Sequence, residues 1–285
     1  MNGKTVIGIA GLGLMGGSFG RALVKGGYTV YAYDTSEEVM LKGALMSAYT
    51  APLTRENAKK VDILVAAVEP KFLETALSPF LPHLKNGAIV TDFCGVKRET
   101  VGLMRKLAVK YRDFTFIGGH PMAGREFSGI EHSSINLFEK ASMILVPVNA
   151  DIFAVEKVKK FFLSAGFSKV VITDAETHDK IIAYTSQLCH IVSNAFIKNR
   201  IAEKRAGFSA GSFKDLTRVA KMNPDMWADL VMLNRDNALN ELTELIGNLS
   251  KYKTALEKGD RDGLKRLFAD GNARKIMIET ENKNV

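Results

Sequence analysis

The chain has 285 residues, more than the ~100–200 of one ordinary domain, which excludes a peptide hormone or a disulfide mini-scaffold. Hydrophobic residues make up 46%, charged residues 25% and aromatic residues 8%, a balance foreign to disordered and fibrous chains. The 39 Lys and Arg exceed the 31 Asp and Glu by eight, but the surplus is spread along the chain without a dense basic block, so it suits small anionic ligands and argues against nucleic acid. The two cysteines, Cys94 and Cys189, lie far apart in a chain without a convincing secretory signal, which predicts free thiols and a cytoplasmic protein. The longest uncharged stretch, residues 5–20, is rich in glycine and falls short of the ~20 apolar residues of a membrane span.

In chain order, the run 4–10 (KTVIGIA) predicts a strand that passes directly into Gly11-Leu12-Gly13-Leu14-Met15-Gly16 and then a helix through Arg21 and Leu23. Strand, Gly-x-Gly-x-x-Gly and helix in this order form a dinucleotide cradle. Gly11 permits the tight turn, Gly13 admits the pyrophosphate, and Gly16 allows close packing, with the helix N-terminus facing the phosphates. A second predicted strand, 29–34, ends on Asp34, 18 residues after Gly16, where a carboxylate can accept the ribose hydroxyls. Thr35 and Ser36 follow, with no Arg for a 2′-phosphate, so NAD is favoured over NADP.

Further strands are predicted at 62–68, 88–93, 114–119, 142–148 and 169–173, separated by helical runs such as 97–110 and 151–165. This alternation predicts an α/β fold, a Rossmann-like, doubly wound and mainly parallel sheet, over residues 1–173. From 174 to 285 strand signals stop, and an all-α domain is expected, with breaks near Gly207–Gly211, Asn223-Pro224 and Gly259 and a disordered tail at 279–285. Ile181, Ile182, Thr185, Leu188, Cys189 and Val192 have the spacing of a buried helix face.

Several side chains can carry chemistry. His120 sits in Gly118-Gly119-His120-Pro121-Met122-Ala123-Gly124 at the end of a predicted strand, and an imidazole there can take a hydroxyl proton as a carbinol is oxidised. The same position also suits a packed or capping histidine. Ser186 and His190, four residues apart, are expected on one helix face, in contact with a ligand or within the core. Adjacent Cys189 and His190 point apart, and no metal site is predicted. Lys214 and Arg218 follow a glycine-rich segment, and the planar fork of Arg218 suits a carboxylate.

Taken together, GLGLMG, DFCGVK, GGHPMAGRE, the THD and SQLCH segments and FKDLTRVA, with Pro224 and Trp227 downstream, resemble the prephenate dehydrogenase family. The resemblance implies a helical C-terminal domain forming most of a homodimer interface, and oxidative decarboxylation of prephenate to 4-hydroxyphenylpyruvate. It implies that His120 is the catalytic histidine, that Arg218 binds a substrate carboxylate, that Ser186 and His190 line the substrate pocket, and that Glu126 lies near its mouth. Lys214 joins them as a substrate-binding candidate. Many members carry a serine where this chain has Gly95, so any contact there must come from backbone or water. Cys94 is expected to be a packing residue, and no appended regulatory module is expected. Arogenate dehydrogenase chemistry and a non-catalytic NAD-sensing protein are the alternatives.

Overall fold

The computed structural model describes residues 5–125 and 127–281. Eight strands form one sheet: β1 (Val6–Ala10), β2 (Thr29–Tyr33), β3 (Ala51–Pro52), β4 (Ile63–Ala66), β5 (Ile89–Asp92), β6 (Thr115–Pro121), β7 (Ser142–Pro147) and β8 (Lys169–Ile172). Their order is β3-β2-β1-β4-β5-β6-β7-β8, and every pairing is parallel except β6 with β7. Successive strands are added outward in opposite directions from β1 and from β4, so a crevice opens at their carboxyl ends, the place where ligands gather in doubly wound sheets.

All seven predicted strands are present. The unpredicted β3 is two residues long and includes Pro52, too short to show an alternating pattern. Central strands read as continuous apolar runs because both faces are covered: Ile63 and Val65 join one core cluster, while Leu64 and Ala66 join the other. The first cluster centres on Phe19, whose ring lies within 6.4 Å of those of Phe93, Phe138, Phe161, Phe162 and Phe167. Phe19 belongs to the helix Leu14–Lys25, so this packing fixes the helix whose N-terminus faces the crevice.

Helices follow β8, as the sequence predicts: Ala175–Ile182, a π-helical turn Ala183–Leu188, Cys189–Phe196, Gly211–Thr217 and Pro224–Leu233. Asn223 caps the last of these through the amides of Asp225 and Met226, with Pro224 in the first turn, where its missing N–H costs nothing. The predicted buried stripe is broken. Ile182 and Leu188 are buried, but Ile181, before the π turn, is 54% exposed, and Cys189 is exposed, where the wider turn has carried the side chains off the 3.6-residue period assumed for them. Compact unit Met1–Asn234 holds all of these elements, and a second unit, Arg235–Val285, is a helical hairpin. Its helices Arg235–Glu257 and Arg261–Glu281 turn at Gly259, whose φ is +63°, and pack through Tyr252 and Phe268. Glu279–Glu281, predicted to be disordered, continue the helix, with Lys275 and Glu279 paired at 3.1 Å. No described helix is long and apolar enough to cross a membrane.

Candidate active site

The glycine loop meets its geometric requirements residue by residue. Gly11 has φ +96°, and a Cβ there would lie 2.6 Å from the carbonyl oxygen of Ala67, so the turn at the end of β1 closes only with glycine. A Cβ on Gly16 would run into the Gly11 carbonyl oxygen, whereas a Cβ on Gly13 would meet nothing within 4 Å. The open side of the loop is thus at Gly13, which caps the helix Leu14–Lys25, and no acidic side chain in the first turn opposes an anion there. Asp34, just past β2, accepts the Leu12 amide at 2.8 Å and the Ser36 amide at 3.0 Å. Each oxygen keeps capacity for a further donor. Leu12, Leu14 and Met15 complete the loop, with Leu12 fully buried.

At the ends of β5 and β6 lies a second cluster. Asp92, the last residue of β5, is fully buried, as is Lys97. Lys97 Nζ bonds the Asp92 carboxylate and donates to the Gly119 carbonyl at 2.6 Å, while Asp92 accepts the amides of Gly119 at 3.0 Å and Cys94 at 3.0 Å. A buried charge needs such full pairing to be tolerated. Cys94 donates its thiol to the Val68 carbonyl; burial, then the Asp92 charge, push that thiol well above the ordinary range, which keeps it protonated as a packing group.

His120 lies within β6, opposite Ile144 of β7, one residue beyond the predicted end of the strand. Its Nε2 sits 3.8 Å from the position a Gly95 Cβ would take, and its Nδ1 is 2.9 Å from His178 Nε2. His178 Nδ1 in turn is 2.6 Å from Asp179 Oδ1. Burial first, then the neighbouring His178 and Lys97, hold His120 well below the ordinary histidine range, so at neutral pH it is an uncharged base. Asp179 accepts the amides of Lys97 at 2.7 Å and Arg98 at 2.9 Å. Burial would raise its carboxyl, but the His178 N–H and those amides hold it below the usual range.

The helical candidates form a neighbouring group. His190 donates Nδ1–H to the Ser186 carbonyl at 2.9 Å and stacks on Trp227 with ring centroids 3.7 Å apart. Leu230, one turn after Trp227, approaches Gly95 and accepts a hydrogen bond from Gln187 at 3.1 Å, which joins this group to the His120 cluster. Lys214 and Arg218 are exposed. The helix Gly211–Thr217, which holds Lys214 and is followed directly by Arg218, packs on the helix Cys189–Phe196 that carries His190, through Phe213 and Phe196 and the bond from Asn194 to the Ala220 carbonyl at 3.0 Å. Glu126 lies outside the described residues. Among the described residues no group of three His, Cys, Asp or Glu is placed to hold a metal ion.

Sequence reasoning did not single out Asp92, Lys97, His178 or Asp179 as site residues. His178 and His120 are 58 residues apart, and only the fold joins them. The available signal was two charges, Asp92 and Lys97, inside an otherwise apolar stretch, a placement that requires partners.

The profile of the prephenate dehydrogenase nucleotide-binding domain matches residues 19–179, and that of the dimerization domain matches 174–270. The chain is 28% identical to cyclohexadienyl dehydrogenase of Zymomonas mobilis over 289 residues, 97% of each protein. It is 29% identical to prephenate dehydrogenase of Bacillus subtilis over 277 residues, 93% of this chain and 74% of that protein. Its structure is similar to that of prephenate dehydrogenase from A. aeolicus in complex with hydroxyphenyl propionate and NAD+, with TM-score 0.82, 26% identity, and coverage of 96% of this chain and 98% of that one.

Proposed function

This chain belongs to the prephenate dehydrogenase family, and from that premise we propose that it converts prephenate to 4-hydroxyphenylpyruvate and CO₂ with NAD+ as hydride acceptor. The observation that carries the reading is His120, an uncharged base near the carboxyl end of β6, with Nδ1 engaged by His178 and Nε2 turned to the position beside Gly95.

The residues at the crevice fit the cofactor. Gly11 to Gly16 would hold the pyrophosphate where no Cβ intrudes at Gly13, and Asp34 would take the ribose hydroxyls with its remaining acceptor capacity. NAD+ supplies one thing when bound, a place for the hydride that leaves C4 of the substrate. The chain's own groups do the rest. His120 Nε2 takes the C4 hydroxyl proton as that hydride departs; the bond to the ring carboxylate then breaks, its electron pair enters the ring, and the proton returns to the phenolic oxygen. Arg218, with Lys214 one turn before it, holds a carboxylate of the dianion, while Ser186 and His190 line the pocket and Glu126 stands near its mouth. Aromatisation supplies the driving force, so the protein's task is orientation.

In this reading residues 1–173 form the nucleotide domain and 174–285 the substrate and dimerisation domain of a cytoplasmic homodimer. Support for the dimer comes from Leu239, Ile246 and Leu249, spaced seven and three residues apart and each more than half exposed, a stripe of the kind a partner helix covers. A second reading, action on arogenate, draws on the Zymomonas relative, whose name specifies the cyclohexadienyl ring and no side chain.

The test is NADH formation with prephenate and with arogenate, using NAD+ and NADP+ in turn. Prephenate with NAD+ is expected to turn over fastest. His120→Asn should lower kcat by ~10²–10⁴-fold with KM nearly kept, and Arg218→Gln should mainly raise KM. Normal turnover by His120→Asn would refute the assignment of the base.

A further inference from the structure

We propose that His178 and Asp179 are positioning residues that fix the tautomer of His120. Asp179 holds the proton of His178 on Nδ1, His178 offers its Nε2 lone pair to His120 Nδ1–H, and His120 keeps its own Nε2 lone pair for the substrate hydroxyl. The role of that last lone pair rests on the dehydrogenase reading above; the proton order along the chain of rings does not.

The contact between the two rings, taken alone, allows either proton order, since each imidazole nitrogen can donate or accept. Asp179 removes the ambiguity. Four donors converge on its carboxylate: His178 Nδ1 at 2.6 Å, the Lys97 amide at 2.7 Å, the Arg98 amide at 2.9 Å and Arg98 Nε at 3.5 Å. The two amides open the helix Arg98–Lys110, whose N-terminus favours a negative charge. A proton on Asp179 would face only donors, so the carboxylate is ionised and accepts, and the proton between the two residues sits on His178 Nδ1.

With His178 uncharged, its Nε2 carries a lone pair, and the 2.9 Å contact to His120 requires His120 Nδ1 to donate. Burial lowers His178 despite the opposing pull of Asp179, in keeping with that uncharged form. Hydrogen bonds lock the main chain behind the relay as well. Asn234 Nδ2 donates to the Asp179 carbonyl at 2.8 Å and to Gln187 Oε1 at 2.9 Å, and Arg98 Nη2 donates to Asn234 Oδ1 at 3.0 Å. Asp179 and Asn234 are fully buried, and His178 is 2% exposed. Once His120 Nε2 has taken a proton, the Nδ1–H bond becomes charge-assisted toward a chain that ends in a carboxylate, which offsets the burial of the new cation.

The test reads ring ¹⁵N shifts in histidine-labelled protein, where five histidines make assignment tractable and His120→Asn identifies the His120 signals. Wild type is expected to show His120 as the Nδ1–H tautomer. In Asp179→Asn the side-chain oxygen is expected to turn to the Lys97 and Arg98 amides, with its NH₂ toward His178. That reverses both rings, leaves His120 protonated on Nε2, and lowers kcat by up to ~10⁴-fold, the loss that follows when an orienting carboxylate is amidated beside a catalytic histidine, while KM stays within ~3-fold.

His178→Gln, whose carbonyl can take the place of the lone pair, should keep the Nδ1–H tautomer and most of kcat, whereas His178→Met should keep neither; this pair decides the matter should Asp179→Asn not fold. The proposal is overturned by an Nε2–H tautomer in wild type, or by variants that change neither tautomer nor kcat. If wild type turns over neither prephenate nor arogenate, the dehydrogenase reading fails while the tautomer measurement still stands on its own.

Discussion

At the residue scale, the glycines around the candidate site divide by what surrounds them. Gly119 is enclosed: a Cβ there would meet Met143 Cε at 2.6 Å and Thr91 Oγ1 at 2.9 Å. At Gly95 the nearest groups would be Leu230 Cδ2 at 3.7 Å and His120 Nε2 at 3.8 Å, which is ordinary contact. Gly119→Ala should therefore cost about 1–3 kcal/mol in urea unfolding, and Gly95→Ala less than ~1 kcal/mol. Equal losses at both positions would refute this contrast. The glycine loop was legible in the sequence because its spacing is a backbone requirement, as was the strand-end placement of His120. The partners of His120 were not, since His178 and Asp179 reach it through the packing of the helix Ala175–Ile182 and no local pattern encodes that approach.

At the element scale, one ion pair ties the crossover from β5 to β6. Lys97 spans the Asp92 carboxylate and the Gly119 carbonyl, and both partners are buried. Lys97→Met would leave Asp92 buried with two amides and no cation, and is expected to destabilise the fold by about 3–5 kcal/mol; adding Asp92→Asn should recover part of the loss. Chemical denaturation of the two variants checks this, and a double variant no more stable than the single would overturn the pairing argument. Seven strands could be read from β-branched runs, and the helical breaks from Gly and Pro. The π turn could not, because a wider turn leaves no mark in composition and shows only afterwards, in the exposure of Cys189 where the 3.6-residue period expects burial.

At the scale of the whole molecule, the buried histidines predict how stability follows pH. His120 and His178 both titrate below the ordinary value in the fold, with burial as the leading cause, while Asp92, Asp179 and Lys97 face them. Between the folded values and the unfolded value near ~6.5, the unfolded chain binds more protons, so stability rises with pH through that window. The contribution is complete above about pH 6.5 and is lost as pH falls, at up to ~1.4 kcal/mol per pH unit for each group. Urea unfolding at neutral pH and at steps down to about pH 5 should show that decline, and a flat or rising profile would refute it.

The antiparallel pairing of β6 with β7 leaves its own mark on how the molecule works. Because the β6 ladder with β7 runs on past the end of its pairing with β5 at Ile117 and still includes His120, opposite Ile144, His120 is held on a strand and not on a swinging loop. In the proposed mechanism, alignment of the proton acceptor is therefore set by that strand pairing. What varies from one turnover to the next is the arrival and seating of the reactants, so changes in the peripheral helices should tune how often the chemistry starts while leaving its intrinsic geometry intact.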